Sequence, residues 1–188
     1  MSNPQQPFDA VIHIDGGARG NPGPAACAVV VAAADGTPIH SFSRYLGETT
    51  NNVAEYRALL AALEYALEHR YLRLKIVSDS ELLVRQMQGR YKVKSADLKP
   101  LHEQARRLIG RLGAFSIEHV RRKANRAADR LVNQALDAAE GRNAPAGRDE
   151  CDKVLRATAT YQRGILRLSR HLPLDDGEDV EVDIHRKR

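Results

Sequence analysis

The sequence has no tryptophan, two methionines and two cysteines, and aromatic residues make up only 5% of its 188 positions. Cys27 and Cys151 stand far apart, with no Cys or His at metal-ligand spacing, so neither a disulfide framework nor a zinc site is indicated. A reducing, cytoplasmic setting is expected. Long apolar runs are missing as well: none reaches the roughly eighteen residues of a membrane span. The opening MSNPQQPFDA has no basic stretch leading into an apolar one, so secretion is not expected either. What the chain does have is 43% hydrophobic and 28% charged residues, a balance that suits a folded domain and argues against wholesale disorder. Lys and Arg number 29 against 24 Asp and Glu, a net charge of +5 that tilts the expected partner toward a polyanion. Residues 141–188 carry 10 basic and 9 acidic residues, so the first 140 hold 19 and 15 and most of the excess.

Residues 9–15 (DAVIHID) predict a strand, followed by a loop rich in Gly and Pro at 16–24. The apolar run 25–34, the Asp35-Gly36 turn and residues 39–46 predict a hairpin, which makes three antiparallel strands. From 52 to 70, Ala54, Leu59, Leu63, Ala66 and Leu67 recur at helical spacing. A short strand over 72–78 follows, so the helix is a crossover between parallel strands. Helices over 80–88 and 98–112, a strand over 115–120 and a helix over 125–139 complete a βββαβααβα order, an α/β fold with a five-stranded mixed sheet. The domain boundaries expected are a flexible N-terminus at 1–8, a main domain at 9–140, a linker at 141–152 and a small β-rich extension at 153–188. In that extension Tyr161, Gly164, Ile165 and Leu168 precede a turn at 175–177 and the alternating Val180, Val182 and Ile184.

Four carboxylates stand at element ends. Asp15 closes the first strand, Glu55 opens the long helix, Asp79 closes the fourth strand and Asp129 enters the last helix. Glu55 is three residues past Asn52, the spacing of a capping box. Asp79 is placed to cap the helix that starts at Ser80, and Asp129 borders an apolar stripe where at least half exposure is expected. Asp15, beside Gly16-Gly17 after an apolar strand, needs a cation or amides to offset its desolvation. Strands one and four, if parallel neighbours, deliver Asp15 and Asp79 to one end of the sheet, where ligands bind in open sheets. Such carboxylates together would repel unless divalent cations lay between them, which predicts Mg²⁺. Two such ions roughly 3.5 to 4 Å apart can bridge a phosphodiester, which is nuclease chemistry.

The stretches IDGGARGNPGPAACAVVV, TTNNVAEYRALLAALEYAL, IVSDSELLVRQMQG and VRRKANRAADRLVNQAL together resemble the ribonuclease H type 1 family, over about residues 9–139 and in the right order. The resemblance implies a ribonuclease H-like fold and cleavage of the RNA strand of RNA·DNA hybrids, leaving 5′-phosphate and 3′-hydroxyl ends. It implies two Mg²⁺ ions per site, with Mn²⁺ as an alternative. Asp15 would bridge both ions, Asp129 would share the one that holds the attacking water, and Glu55 and Asp79 would complete the other. It also implies hybrid contacts from Gly16, Gly17, Asn21, Asn51 and Asn52, and phosphate or substrate contacts from Arg122, Lys123 and Asn125. Two features depart from the family pattern. Lys123 stands near the place where many members carry a loop His, His119 reading as structural, and GRYKVKSADLKP replaces a longer basic handle. Arg85, Arg90, Lys92, Lys94, Lys99 and Tyr91 in and near that segment are either phosphate contacts or a solvated edge. The tail resembles a small β domain of archaeal antitoxin-like proteins and suggests a homodimer through that unit. The alternatives are a noncatalytic hybrid-binding or assembly module, or a relative that also cuts double-stranded RNA.

Overall fold

The structure is a computed structural model; it describes residues 8–141, 159–162 and 165–168. The chain divides into two compact units, Met1–Gly147 and Arg148–Arg188.

The first unit is built on strands β1 (Ala10–Ala18), β2 (Gly23–Ala33), β3 (Pro38–Thr49), β4 (Arg73–Ser78) and β5 (Ala114–His119), in sheet order β3-β2-β1-β4-β5. β1, β2 and β3 pair antiparallel, and β4 joins β1 and β5 in parallel. The helices are α1 (Asn51–Glu68), α2 (Glu81–Met87), α3 (Leu98–Ile109) and α4 (Arg126–Ala139), with a 3-10 turn at Arg122–Ala124. The expected five-stranded mixed sheet and element order are found. Asp9 fixes where the parallel pair starts, since its carboxylate accepts from the Arg73 amide at 2.8 Å and from the guanidinium at 2.8 and 3.0 Å. Burial alone would raise the Asp9 carboxyl pKa, but the hydrogen bonds and charge of Arg73 together hold it below its usual value.

The alternation along β1 and β2 creates two unequal layers. Ile12, Ile14, Cys27, Val29 and Val31 face one way and pack with Leu59 and Leu63 of α1, Leu83 of α2 and Leu101 of α3 into the main core. Ala26 and Ala28 face the other way, against Val132 and Leu136 of α4. α1 is buried on most of its circumference because it lies between the sheet and α3. Its Ala54, Ala58, Ala62 and Ala66 let it sit close to the strands.

Two cap expectations are corrected. α1 is capped by Thr50, whose Oγ1 accepts from the Val53 amide at 3.3 Å, so Asn52 and Glu55 do not form a capping box. α2 is capped by Ser80, whose Oγ accepts from the Leu83 amide at 3.4 Å, which leaves Asp79 free of that task. In each case the hydroxyl residue stands at the true boundary, so capping does not account for the acidic residue's position.

In the second unit, β6 (Ala159–Gln162) and β7 (Ile165–Leu168) pair antiparallel with Gln162 opposite Ile165. The flexible N-terminus, most of the linker, the turn at 175–177 and the strand at Val180 to Ile184 lie outside the described residues.

Candidate active site

Register brings the acidic residues together. Ile14 pairs with Ser78 across the parallel β1–β4 ladder, so Asp15 and Asp79 leave the sheet side by side at its carboxyl end. Asp15 sits opposite Ala28 of β2, and its side chain therefore takes the face that α4 covers. Gly16, opposite Cys27, takes the α1 face, and there the first turns of α1 lie directly on it. A Cβ at Gly16 would stand 2.3 Å from the Ala54 carbonyl carbon and from the Glu55 nitrogen. This close approach carries Glu55 to the end of β1. Gly17 meets α4 in the same way, a Cβ there falling 3.0 Å from Val132 Cγ1.

One oxygen each from Asp15, Glu55 and Asp79 lie within 4.8 Å of one another. Asp15 is 8% and Glu55 5% exposed, and Glu55 Oε2 has no hydrogen-bond partner although it is fully buried. An orphaned carboxylate oxygen of this kind is costly, and three acidic groups without a counterion are costlier. Burial first, then the charges of Asp79 and Asp129, push the Asp15 carboxyl up to about 7. Burial, reinforced by Asp15 and Asp79, raises Glu55 well above the ordinary range. A hard divalent cation with an oxygen shell answers both observations, so the donor set fits a divalent metal ion.

Asp129 stands on the first turn of α4, one position from the buried Ala128–Val132–Leu136 stripe. Its side chain is 27% exposed, less than the expected half, because Arg122 folds over it. Arg122 Nε donates to Asp129 Oδ1 at 3.0 Å, and its NH2 group donates to the same oxygen. Asp129 lies outside the three-oxygen cluster and is engaged by a cation of the protein itself. All four carboxylates line one cleft of about 340 Å³, shared with Gly16, Gly17, Arg19, Asn51 and Arg122.

The remaining expected contacts divide. Asn51 accepts from the Ala18 amide at 3.3 Å and Asn21 accepts from the Asn51 amide at 3.2 Å, so both brace the loop after β1 against α1. Asn52 and Lys123 are exposed. Asn125 is 1% exposed, and its amide donates to the Ile14 carbonyl at 2.8 Å and to Asp79 Oδ1 at 2.9 Å. It thus holds the acidic cluster from inside and presents no surface to a nucleic acid. His119 is exposed and pairs with Ser78, on the α1 face of the sheet, away from Asp79 and Asp129. Arg85 is engaged by Glu81 and lies 5.2 Å over the Tyr91 ring. Sequence reasoning missed Arg19, which reaches across the cleft wall to Asp137 of α4 and to Glu140 just past its end, at 2.7 Å for Glu140. The i, i+3 spacing of Asp137 and Glu140 at the helix end is the signal that was present.

The reverse transcriptase-like family model matches residues 13–135. The chain is 39% identical to the crystal structure of RNase H1 from the halophilic archaeon Halobacterium salinarum, with a TM-score of 0.67, covering 69% of this chain and 98% of that one. It is 44% identical to LC11-RNase H1, solved in complex with an RNA/DNA hybrid, with a TM-score of 0.66 over 70% of this chain and 99% of that one. The bifunctional protein Rv2228c of Mycobacterium tuberculosis is 46% identical over 130 residues, 69% of this chain and 36% of that protein. The chain belongs to the reverse transcriptase-like family, and within it to the ribonucleases H of type 1. It spans about a third of the length of the mycobacterial relatives it matches.

Proposed function

We propose that the chain is a ribonuclease H that hydrolyses the RNA strand of RNA·DNA hybrids with two Mg²⁺ ions, or with Mn²⁺, leaving 5′-phosphate and 3′-hydroxyl ends. The observation that carries this reading is Glu55 Oε2, an unpartnered buried carboxylate oxygen beside Asp15 and Asp79. The sequence spends three acidic groups where a folded chain gains nothing from them unless a cation binds. Relatives named as ribonucleases H, one of them solved with an RNA/DNA hybrid, support the substrate class.

Asp15, Glu55 and Asp79 would hold one ion, and Asp15 with Asp129 the other. When bound, such a pair supplies an activated water and stabilises the departing oxygen of an in-line displacement. Asp129 becomes available when Arg122 lets go of it, and the guanidinium is then free to meet a phosphate at the cleft mouth. Asn21 and Asn51 keep the loop after β1 in place beside the cleft. Arg19, held by Asp137 and Glu140, stiffens the opposite wall. A cytoplasmic setting and a homodimer through the C-terminal β unit belong to the same proposal, the first resting on sparse cysteine and the second on the alternating pattern of the tail.

The test uses end-labelled RNA·DNA, RNA·RNA and DNA·DNA duplexes of one sequence with Mg²⁺, Mn²⁺ or chelator, beside Asp15→Asn. The expected result is cleavage of the hybrid's RNA strand alone, lost in chelator and in the variant. Cleavage of RNA·RNA would widen the substrate, and no cleavage with either metal would replace the enzyme by a hybrid-binding module.

A further inference from the structure

We propose that His13 is a positioning residue for the acidic cluster, acting through Asn125 on Asp79; the inference rests on the metal-dependent reading above. His13 lies on β1 opposite Val30, with its side chain on the α4 face, as is that of Asp15 two residues on. Its Nδ1 is 3.2 Å from Asn125 Oδ1.

The direction of every hydrogen bond in this chain follows from its two ends. Asn125 Nδ2 faces the Ile14 carbonyl at 2.8 Å and Asp79 Oδ1 at 2.9 Å. A carbonyl and a carboxylate only accept, so the amide must turn its NH₂ to them and its oxygen to His13. His13 Nδ1 must then carry a hydrogen and donate it. The result is a polarised line, His13 to Asn125 to Asp79, in which each donor points toward the carboxylate. Both hydrogens of the Asn125 NH₂ group are used, and its oxygen is satisfied by the imidazole.

His13 therefore supplies the donor that the buried amide oxygen needs while the NH₂ group is committed to Ile14 and Asp79. Without that donor, Asn125 Oδ1 is buried against an apolar ring and unpartnered, a cost the side chain relieves by shifting toward another donor or water. Such a shift would lengthen the bond from Asn125 Nδ2 to Asp79 Oδ1 and loosen the carboxylate. A merely structural His would contribute bulk, which phenylalanine also provides, and the hydrogen bond is the part that phenylalanine lacks.

The experiment compares wild type, His13→Phe and His13→Gln in the full chain, the glutamine amide being able to donate to Asn125. Mn²⁺ and Mg²⁺ affinities are measured by calorimetry without nucleic acid, and hybrid cleavage is titrated with Mg²⁺. Expected for His13→Phe is an about tenfold weaker metal affinity and a matching rise in half-saturating Mg²⁺. KM for the hybrid at saturating metal should change less than about twofold, and His13→Gln should recover most of the loss. If His13→Phe does not fold, His13→Leu replaces it. Equal metal affinities in the apolar and glutamine variants, whether both strong or both weak, would overturn the assignment. A wild type that binds metal and cleaves keeps that failure separate from one of the underlying reading. A wild type that does neither removes both.

Discussion

Asp15 is held where an aspartate is least comfortable, 8% exposed and facing two other carboxylates. Its carboxyl, raised to about 7 by burial and then by Asp79 and Asp129, binds a proton in the folded chain that it does not bind when unfolded. Glu55 is raised in the same sense. Groups of this kind stabilise the protonated fold at low pH, and the contribution is lost as pH rises through the folded value. The stability of the metal-free protein attributable to this cluster should thus fall between about pH 4 and pH 7. Asp15→Asn should remove much of that slope and raise metal-free stability at pH 8 by about 2 kcal/mol while abolishing cleavage. Urea unfolding in chelator as a function of pH checks this, and an Asp15→Asn that is less stable than wild type at pH 8 would count against it. At this scale the sequence was only partly legible. The four carboxylates stand out because each ends or opens an element. Asn125 reads as a surface contact in one dimension, yet it is buried over the ends of β1 and β4, where its amide meets Ile14 and Asp79, and no periodicity places it there. The Arg122 clasp on Asp129 is likewise a seven-residue relation across a turn, with no periodicity to reveal it.

Among the elements, the contact between β1 and α1 decides whether the site assembles. α1 lies so near Gly16 that any side chain there would enter its backbone. Gly16→Ala should lower stability by about 3 kcal/mol, since the obstacle is main chain and not a side chain that can turn away. Because the displaced helix carries Glu55, cleavage by the folded fraction should fall about a hundredfold. Chemical denaturation and turnover at saturating Mg²⁺ separate the two effects, and an alanine variant with wild-type stability would refute the packing argument. All nine elements of the first unit were legible from apolar periodicity and turn residues, to within a few positions. The caps were not: Asn52 and Asp79 have the right chemistry, but Thr50 and Ser80 stand at the boundaries and compete successfully. The small-residue contact was visible only as Gly16-Gly17, which a sequence reading assigns to the ligand as readily as to the helices.

Over the whole molecule, the sheet is a device for bringing distant positions to one edge, and every described residue that lines the cleft belongs to the first unit. Solved relatives of 39% and 44% identity are matched over 98% and 99% of their own chains by about 70% of this one, so the fold they share needs no counterpart of the tail. A chain ending at Gly147 should therefore fold cooperatively and cleave hybrids within about threefold of the full protein, the usual context dependence of a remote change. A truncated chain that folds yet cleaves more than tenfold slower would assign the tail a part in catalysis. Why the tail is less legible than the main domain is a matter of length. A short unit offers few alternations to read.

The claim that joins these scales is that three buried carboxylates await a divalent cation. It is tested most directly by calorimetric titration of Mn²⁺ into the full chain at pH 7, repeated in two buffers of different ionisation enthalpy. The account predicts binding accompanied by proton release, as Asp15, whose carboxyl burial pushes up to about 7, gives up the proton it partly keeps at that pH. Binding without proton release, or no binding in a chain that cleaves hybrids, would contradict it.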